Sequence, residues 1–217
     1  MTFARIRHPE WEARTTGQMD YARDIKLKDL LVGKVLRCPY PAARIVQLDV
    51  EAARGAPGVL AVLVGTDLPD RNYLDYGQAD RPSMARERVV WAGQEVAVLA
   101  AETEEQALAA LALIRVTWER LPHVTSVAQA LAVGAPAVHP DRALDNVATQ
   151  ASRSFGDPAS RGAATRQISA AYGCGPQHHA CMEPHSALAQ WDAANGTLNL
   201  WTPTQSPRNI AAEIAQM

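Results

Sequence analysis

"QEVAVLAAETEEQALAALALIRVTWE", Gln94 to Glu119, changes its hydrophobic period twice. Gln94–Glu102 is an apolar run of strand length, too short for a buried helix of ordinary size. Thr103-Glu104-Glu105-Gln106 follows as a capping-box pattern: the threonine hydroxyl can accept from the third backbone amide while the glutamine reaches back. Ala107, Leu108, Leu111 and Ile114 then recur at helical spacing and read as one buried stripe. Arg115–Glu119 returns to a strand. Strand, helix and strand with short connections make a β-α-β crossover and argue for helices laid on one face of a sheet.

Working toward the N-terminus, the same alternation repeats. "LLVGKVLRC" (Leu30–Cys38) and "ARIVQLDV" (Ala43–Val50) read as strands separated by Pro39-Tyr40-Pro41, which cannot continue a hydrogen-bonded ladder. "EAARGAPG" supplies a helical turn or two stopped by Gly55 and Pro57, and "VLAVLVG" (Val59–Gly65) is again of strand length. A first α/β (α+β) domain is therefore expected over 17–122, behind an N-terminal extension at 1–16. Between its third strand and Gln94 the sequence is polar and irregular.

From Pro122 the composition shifts to Ala, Pro, Gly and Asp, with one weak helical turn near "SVAQAL", so 123–165 reads as an extended linker. A second unit begins at about 166. Its strongest local signal is Asn195-Gly196, which predicts a two-residue type I′ hairpin turn. That turn would set Trp191 opposite Leu200, Ala193 opposite Leu198 and Ala189 opposite Thr202, with Asp192–Asn199 and Gln190–Trp201 on the other face. The second strand is expected to run to Thr204-Gln205, after which Ser206 can cap a helix with Pro207 in its first position. Ile210, Ile214 and Met217 form that helix's apolar stripe. A hairpin and one helix do not make a core alone, so this unit reads as unfinished.

Composition bounds the function. The 217 residues are 47% hydrophobic and 20% charged, enough to bury a core. Lys plus Arg (21) nearly balance Asp plus Glu (23), which leaves no field to attract nucleic acid or an anionic membrane. Cys38, Cys174 and Cys181 are too few and scattered for a disulfide framework. The N-terminus lacks an apolar leader segment and nowhere do about eighteen apolar residues run together, so a cytoplasmic or peripherally associated protein is expected.

Several residues invite chemical readings. His178, His179, Cys181 and His185 are of zinc-ligand type, yet neighbours such as His178 and His179 point to opposite sides of an extended chain. The plainer reading is that they pack around the entry to a domain. A Cys–His nucleophile pair built on Cys181 or Cys38 has no marked base or oxyanion hole. "RGAPG" and "GDPASRG" do not sit between a strand and a helix with the Lys-Ser/Thr of a phosphate loop. Gln205 lies where a strand gives way to a helix, near the amides of Arg208 and Asn209 and the positive end of the helix dipole. Its carboxamide either helps cap the helix or donates a hydrogen bond to an oxygen in a dry pocket.

The ordered stretches "VLRCPYPAARIVQLDVEAARGAPGVLAVLVGTDLP", "WAGQEVAVLAAETEEQALAALALIRVTWERLP", "HHACMEPHSALAQWD" and "TLNLWTPTQSP", preceded by Thr16-Gly17, Tyr21 and Asp24-Ile25, resemble the molybdenum hydroxylases. The similarity is to the molybdopterin-binding large subunit of the xanthine dehydrogenase / aldehyde oxidase family, with the flavour of the carbon monoxide dehydrogenase and 4-hydroxybenzoyl-CoA reductase types. It covers the chain from about residue 12 onward. The resemblance implies that 17–122 is the family's a/b hammerhead domain and that the last part, 166–217, opens the molybdenum-cofactor domain, incomplete here. It implies that Gln205, in Pro203-Thr204-Gln205, lies beside the metal's apical oxo group, and that "HHACMEP" is an entering strand and not a metal site.

The family's chemistry is hydroxylation or dehydrogenation of an aldehyde, N-heterocycle or similar electron-poor carbon. Electrons leave through iron–sulfur clusters and FAD on partner subunits. The family's Gly-Gly-Gly-Phe-Gly-Gly segment, further pterin loops and late glutamate base are not in this sequence. The expected partners are therefore the remaining molybdopterin-binding region, an iron–sulfur subunit and an FAD subunit, and the chain alone is expected to be inactive. Two rivals stand beside this: a non-catalytic docking module or orphan product, and a zinc or thiol enzyme around His178 and Cys181.

Overall fold

The computed structural model describes residues 9–69, 73–74, 81–140, 145–156, 166 and 168–216. In chain order the elements are α1 (Trp11–Thr16), β1 (Val32–Arg37), β2 (Ala43–Asp49), α2 (Glu51–Arg54), β3 (Val59–Val64), β4 (Tyr73–Leu74), β5 (Arg81–Pro82), β6 (Arg88–Val89), β7 (Glu95–Ala101), α3 (Glu104–Leu111), β8 (Arg115–Arg120), α4 (Val127–Ala130), β9 (Leu188–Asp192), β10 (Thr197–Trp201) and α5 (Pro207–Ile214). Contacts divide the chain into two compact units, Met1–Asp29 with Ile168–Asn209, and Leu30–Gln167 with Ile210–Met217.

In the larger unit, β7 is the centre of a sheet ordered β1-β7-β3, and β2 the centre of another ordered β6-β2-β8. Every strand pair among the described residues is antiparallel. The expected β-α-β crossovers on a single sheet are therefore corrected. β2, α2 and β3 do follow one another, as do β7, α3 and β8, but each helix carries the chain from one sheet to the other. Helices and strands alternate as read, and the sheets are open and mixed with helix in an α+β arrangement.

The capping box forms as expected. Thr103 Oγ1 accepts from the Gln106 amide at 3.2 Å, and Gln106 Oε1 accepts from the Thr103 amide at 3.0 Å. The buried face of α3 differs from the expected stripe: Ala107 and Ala110 are fully buried, whereas Leu108 is 52% exposed. Small side chains let the helix approach the sheet closely, and Leu108 falls roughly a third of a turn from the middle of that face. Ala107 and Ala110 join Val50, Ala53, Val62, Leu99 and Ala101 in one core, with Leu111 and Ile114 packed at its margin. A second core holds Cys38, Ala43, Ala85, Val89 and Val96, with Tyr40, Ile45, Leu48 and Trp118 against it. The nominally irregular stretch before Gln94 thus contributes Ala85 and Val89 to the interior.

Register places Val35, Val98 and Leu63 in one cross-strand row, and Gly33, Ala100 and Ala61 in the next. Both rows face away from Leu99, which is 1% exposed, because strand side chains alternate. Val98 and Ala100 stand on the central strand and are still only half-buried, and Leu63 is 43% exposed. This sheet therefore presents an apolar outer face.

In the smaller unit α1 ends in a left-handed Gly17 (φ 72°) whose amide donates to the Ala13 carbonyl. The hairpin forms, but its register corrects the expectation: Thr197 pairs with Asp192, Leu198 with Trp191, Asn199 with Gln190 and Leu200 with Ala189. The loop is Ala193–Gly196, four residues long. Only Gly196 (φ 61°) has the positive φ that a type I′ turn would need at both central positions. Asp192 supplies the reason: its Oδ1 accepts from the Ala194 and Asn195 amides at 3.0 and 3.3 Å, and its Oδ2 from Asn195 Nδ2 at 2.8 Å. That side-chain closure competes with the tight turn. The shift is by two residues, so Trp191, Ala189, Leu198 and Leu200 still share a face.

Candidate functional site

The candidate site is the connection from β10 to α5. β10 ends at Trp201, earlier than the expected Thr204-Gln205, and Pro203 lacks the amide that a continuing ladder requires. Thr202 Oγ1 donates to the Ser186 carbonyl at 3.0 Å, tying the strand end to the segment that enters β9. Thr204 Oγ1 accepts from the Ser206 amide at 3.1 Å, which closes a turn around Gln205. Gln205 itself is exposed. α5 begins at Pro207 as expected, with its apolar Ile210 and Ile214 half-buried; Met217 lies outside the described residues. The amides of the first turn, Arg208 and Asn209 among them, have no partner within the helix by geometry, and the helix dipole adds positive charge there.

The histidine-rich segment departs from the entering strand and from the packed domain entry expected for it. "HHACMEP" is not a strand: the chain has no regular structure from His178 to Cys181 and is exposed there. His178 Nδ1 accepts from the Ala180 amide at 3.0 Å, with Ala180 held at φ 50°. Among the described residues, no group of three or more His, Cys, Asp or Glu side chains is arranged to hold a metal ion, so His178, His179, Cys181 and His185 are not brought together. Glu183 does have a tertiary role, accepting from the Ala22 amide at 3.4 Å. Cys38 is sealed in the second core, its sulfur within hydrogen-bonding distance of the Tyr40 amide at 3.4 Å, and burial pushes its thiol above the ordinary value.

A groove of about 550 Å³ in the larger unit had no sequence signal. It runs along β2 from Ile45 to Val50 and is closed by Val64–Asp67 and Ala85-Arg86. Arg54 bridges Glu51 at 2.8 Å and Asp67 at 3.5 Å across it. The hydrogen-bonding roles of Thr202 and Thr204, both ahead of Gln205, likewise had no sequence signal, although a Thr-x-Ser next to a proline is a recognisable turn pattern.

Residues 16–122 match the a/b hammerhead domain of aldehyde oxidase and xanthine dehydrogenase, and residues 138–217 match a molybdopterin cofactor-binding domain. The chain belongs to the xanthine dehydrogenase and aldehyde oxidase family. It is 38% identical over 138 residues to a probable xanthine dehydrogenase subunit of Bacillus subtilis, covering 64% of this chain and 18% of that protein. It is 30% identical over 208 residues to the nicotinate dehydrogenase large molybdopterin subunit of Eubacterium barkeri, covering 94% of this chain and 47% of that one. Quinoline 2-oxidoreductase from Pseudomonas putida superimposes with a TM-score of 0.79 at 29% identity, covering 97% of this chain and 28% of that one. The chain thus spans less than half the length of these members of the family. Gln205 and the whole of α5 fall inside the cofactor-domain match.

Proposed function

We propose that this chain supplies the hammerhead domain (17–122) and the opening of the molybdenum-cofactor domain (166–217) of a molybdenum hydroxylase large subunit, joined by a linker at 123–165. The observation behind this is the order of two consecutive domain matches, hammerhead then cofactor-binding, along a chain that superimposes on such an oxidoreductase over nearly its whole length. Gln205 is proposed as a cofactor-binding residue. A cofactor that arrives with its metal already ligated asks the protein for hydrogen-bond donors instead of a cage of His, Cys and carboxylates. The exposed Gln205 carboxamide and the first amides of α5 are such donors, so the residues present fit the group.

When bound, the molybdenum cofactor supplies the oxidative hydroxylation of an electron-poor carbon. Within this chain, Gln205 would donate a hydrogen bond to the cofactor, and α5 would present its positive end to anionic groups. The remaining molybdopterin-binding region, an iron–sulfur subunit and an FAD subunit are the proposed partners, in keeping with relatives that are themselves named as subunits. A cytoplasmic location is proposed on the strength of three cysteines that stay as free thiols. No helix among the described residues is long and apolar enough to cross a membrane.

The test is to tag the protein in its own host, purify it with whatever accompanies it, and measure molybdenum and associated subunits by elemental analysis and mass spectrometry. Molybdenum enrichment with iron- and flavin-containing companions is expected. A pure, folded protein with no molybdenum would sink the reading.

A further inference from the structure

Pro203 and Pro207 bracket the turn between β10 and α5, and neither has an amide to donate. Of the three amides between them, that of Ser206 is held by the Thr204 hydroxyl at 3.1 Å. The ring closed by this hydrogen bond spans one residue, Gln205. One turn earlier, the Thr202 hydroxyl fixes the strand end to the Ser186 carbonyl. An exposed glutamine on a loose loop would lose backbone and side-chain freedom each time it met a ligand, which weakens the contact. Here the backbone on both sides is fixed beforehand while the carboxamide stays accessible.

We infer that Thr204 is a positioning residue for Gln205: its hydroxyl closes the turn at whose apex the cofactor-facing glutamine sits. This rests on the proposed role of Gln205. Threonine serves because its hydroxyl accepts the amide while its methyl group restricts the side-chain rotamer. Serine preserves the acceptor; valine preserves the shape and removes it.

The experiment uses the molybdenum-containing protein purified from its host, with Thr204→Val, Thr204→Ala, Thr204→Ser and Gln205→Ala. The readouts are hydrogen exchange at the Ser206 amide, the molybdenum electron paramagnetic resonance spectrum, and retention of molybdenum on dilution. Thr204→Val and Thr204→Ala should speed Ser206 exchange, alter the spectrum in the sense that Gln205→Ala does, and weaken retention by about tenfold, the low end of what loss of a supporting partner costs at a metal site. Thr204→Ser should restore all three. A wild-type spectrum in both Thr204→Val and Thr204→Ala, with Gln205→Ala altered, overturns the role of Thr204 and leaves that of Gln205 standing. A wild-type spectrum in Gln205→Ala overturns the reading on which it rests.

Discussion

At Gly65 a methyl group has nowhere to go. A Cβ built there would collide with the backbone carbonyl of Ala85, which packs Gly65 and cannot swing aside as a side-chain tip would. Gly65→Ala is expected to destabilise the larger unit by about 1–3 kcal/mol, the usual cost of overpacking, seen as a lowered urea midpoint with an unchanged slope. Cys38 makes a second point at this scale. Its thiol is held protonated by burial, whereas Cys174 and Cys181 are exposed. In the native protein iodoacetamide should modify Cys174 and Cys181 and spare Cys38; equal labelling of all three would contradict the burial. Because the folded state binds the Cys38 proton more tightly than the unfolded chain does, its stabilisation is complete below the ordinary thiol range. It is lost as pH rises through the raised folded value.

Among the elements, α3 and the β9–β10 hairpin show how local chemistry decides. Thr103→Ala removes one half of the capping box and should cost about 1 kcal/mol, measurable by thermal melting. At the hairpin, hydrogen bonds from the Asn195 side chain, then its amide, then that of Ala194 hold the Asp192 carboxyl below the usual carboxylate range. A depressed folded value means that loop closure is at full strength above the unfolded value and is lost as pH falls below about 4. Protection of the Ala194 and Asn195 amides, taken relative to their intrinsic exchange rate at each pH, should fall over that window, and Asp192→Ala should remove that pH-dependent fall. The same two elements mark what the sequence made legible. Thr103 and Gln106 announced α3 because capping is a local rule. Its buried face was misphased at Leu108, since a hydrophobicity count ranks leucine above the alanines that close packing prefers. The Asn-Gly signal located the hairpin but not its register, because the carboxylate of Asp192 outcompeted it. Gln205 was legible as a helix-start position with two readings, and the likeness to known sequences singled it out. The hydroxyl partners of Thr202 and Thr204 were not legible, because they are fixed only once the turn has formed.

For the molecule as a whole, the outer face of the β1-β7-β3 sheet is the feature no strand pattern announced. Val35, Val98 and Leu63 form an apolar row where a solvated sheet would carry alternating polar groups. Leu63→Lys, on the edge strand, should reduce self-association in static light scattering while shifting stability by no more than about 0.5 kcal/mol. Unchanged scattering would show that this face does not drive association. The positions of the longer strands were legible from composition, but their exact ends and their pairing were not. β7 inserts between β1 and β3 through long-range contacts, and no local period reports a neighbour chosen across more than thirty residues. That order also has a consequence for biosynthesis. A nascent chain emerging from the ribosome presents β1 and β3 with no mate until the segment ending at Ala101 has cleared the exit tunnel. Each flank waits on a keystone delivered late. Over that interval the emerging Val- and Leu-rich strands are natural clients for a holding chaperone, and a stall shortly before Ala101 would leave them unmated.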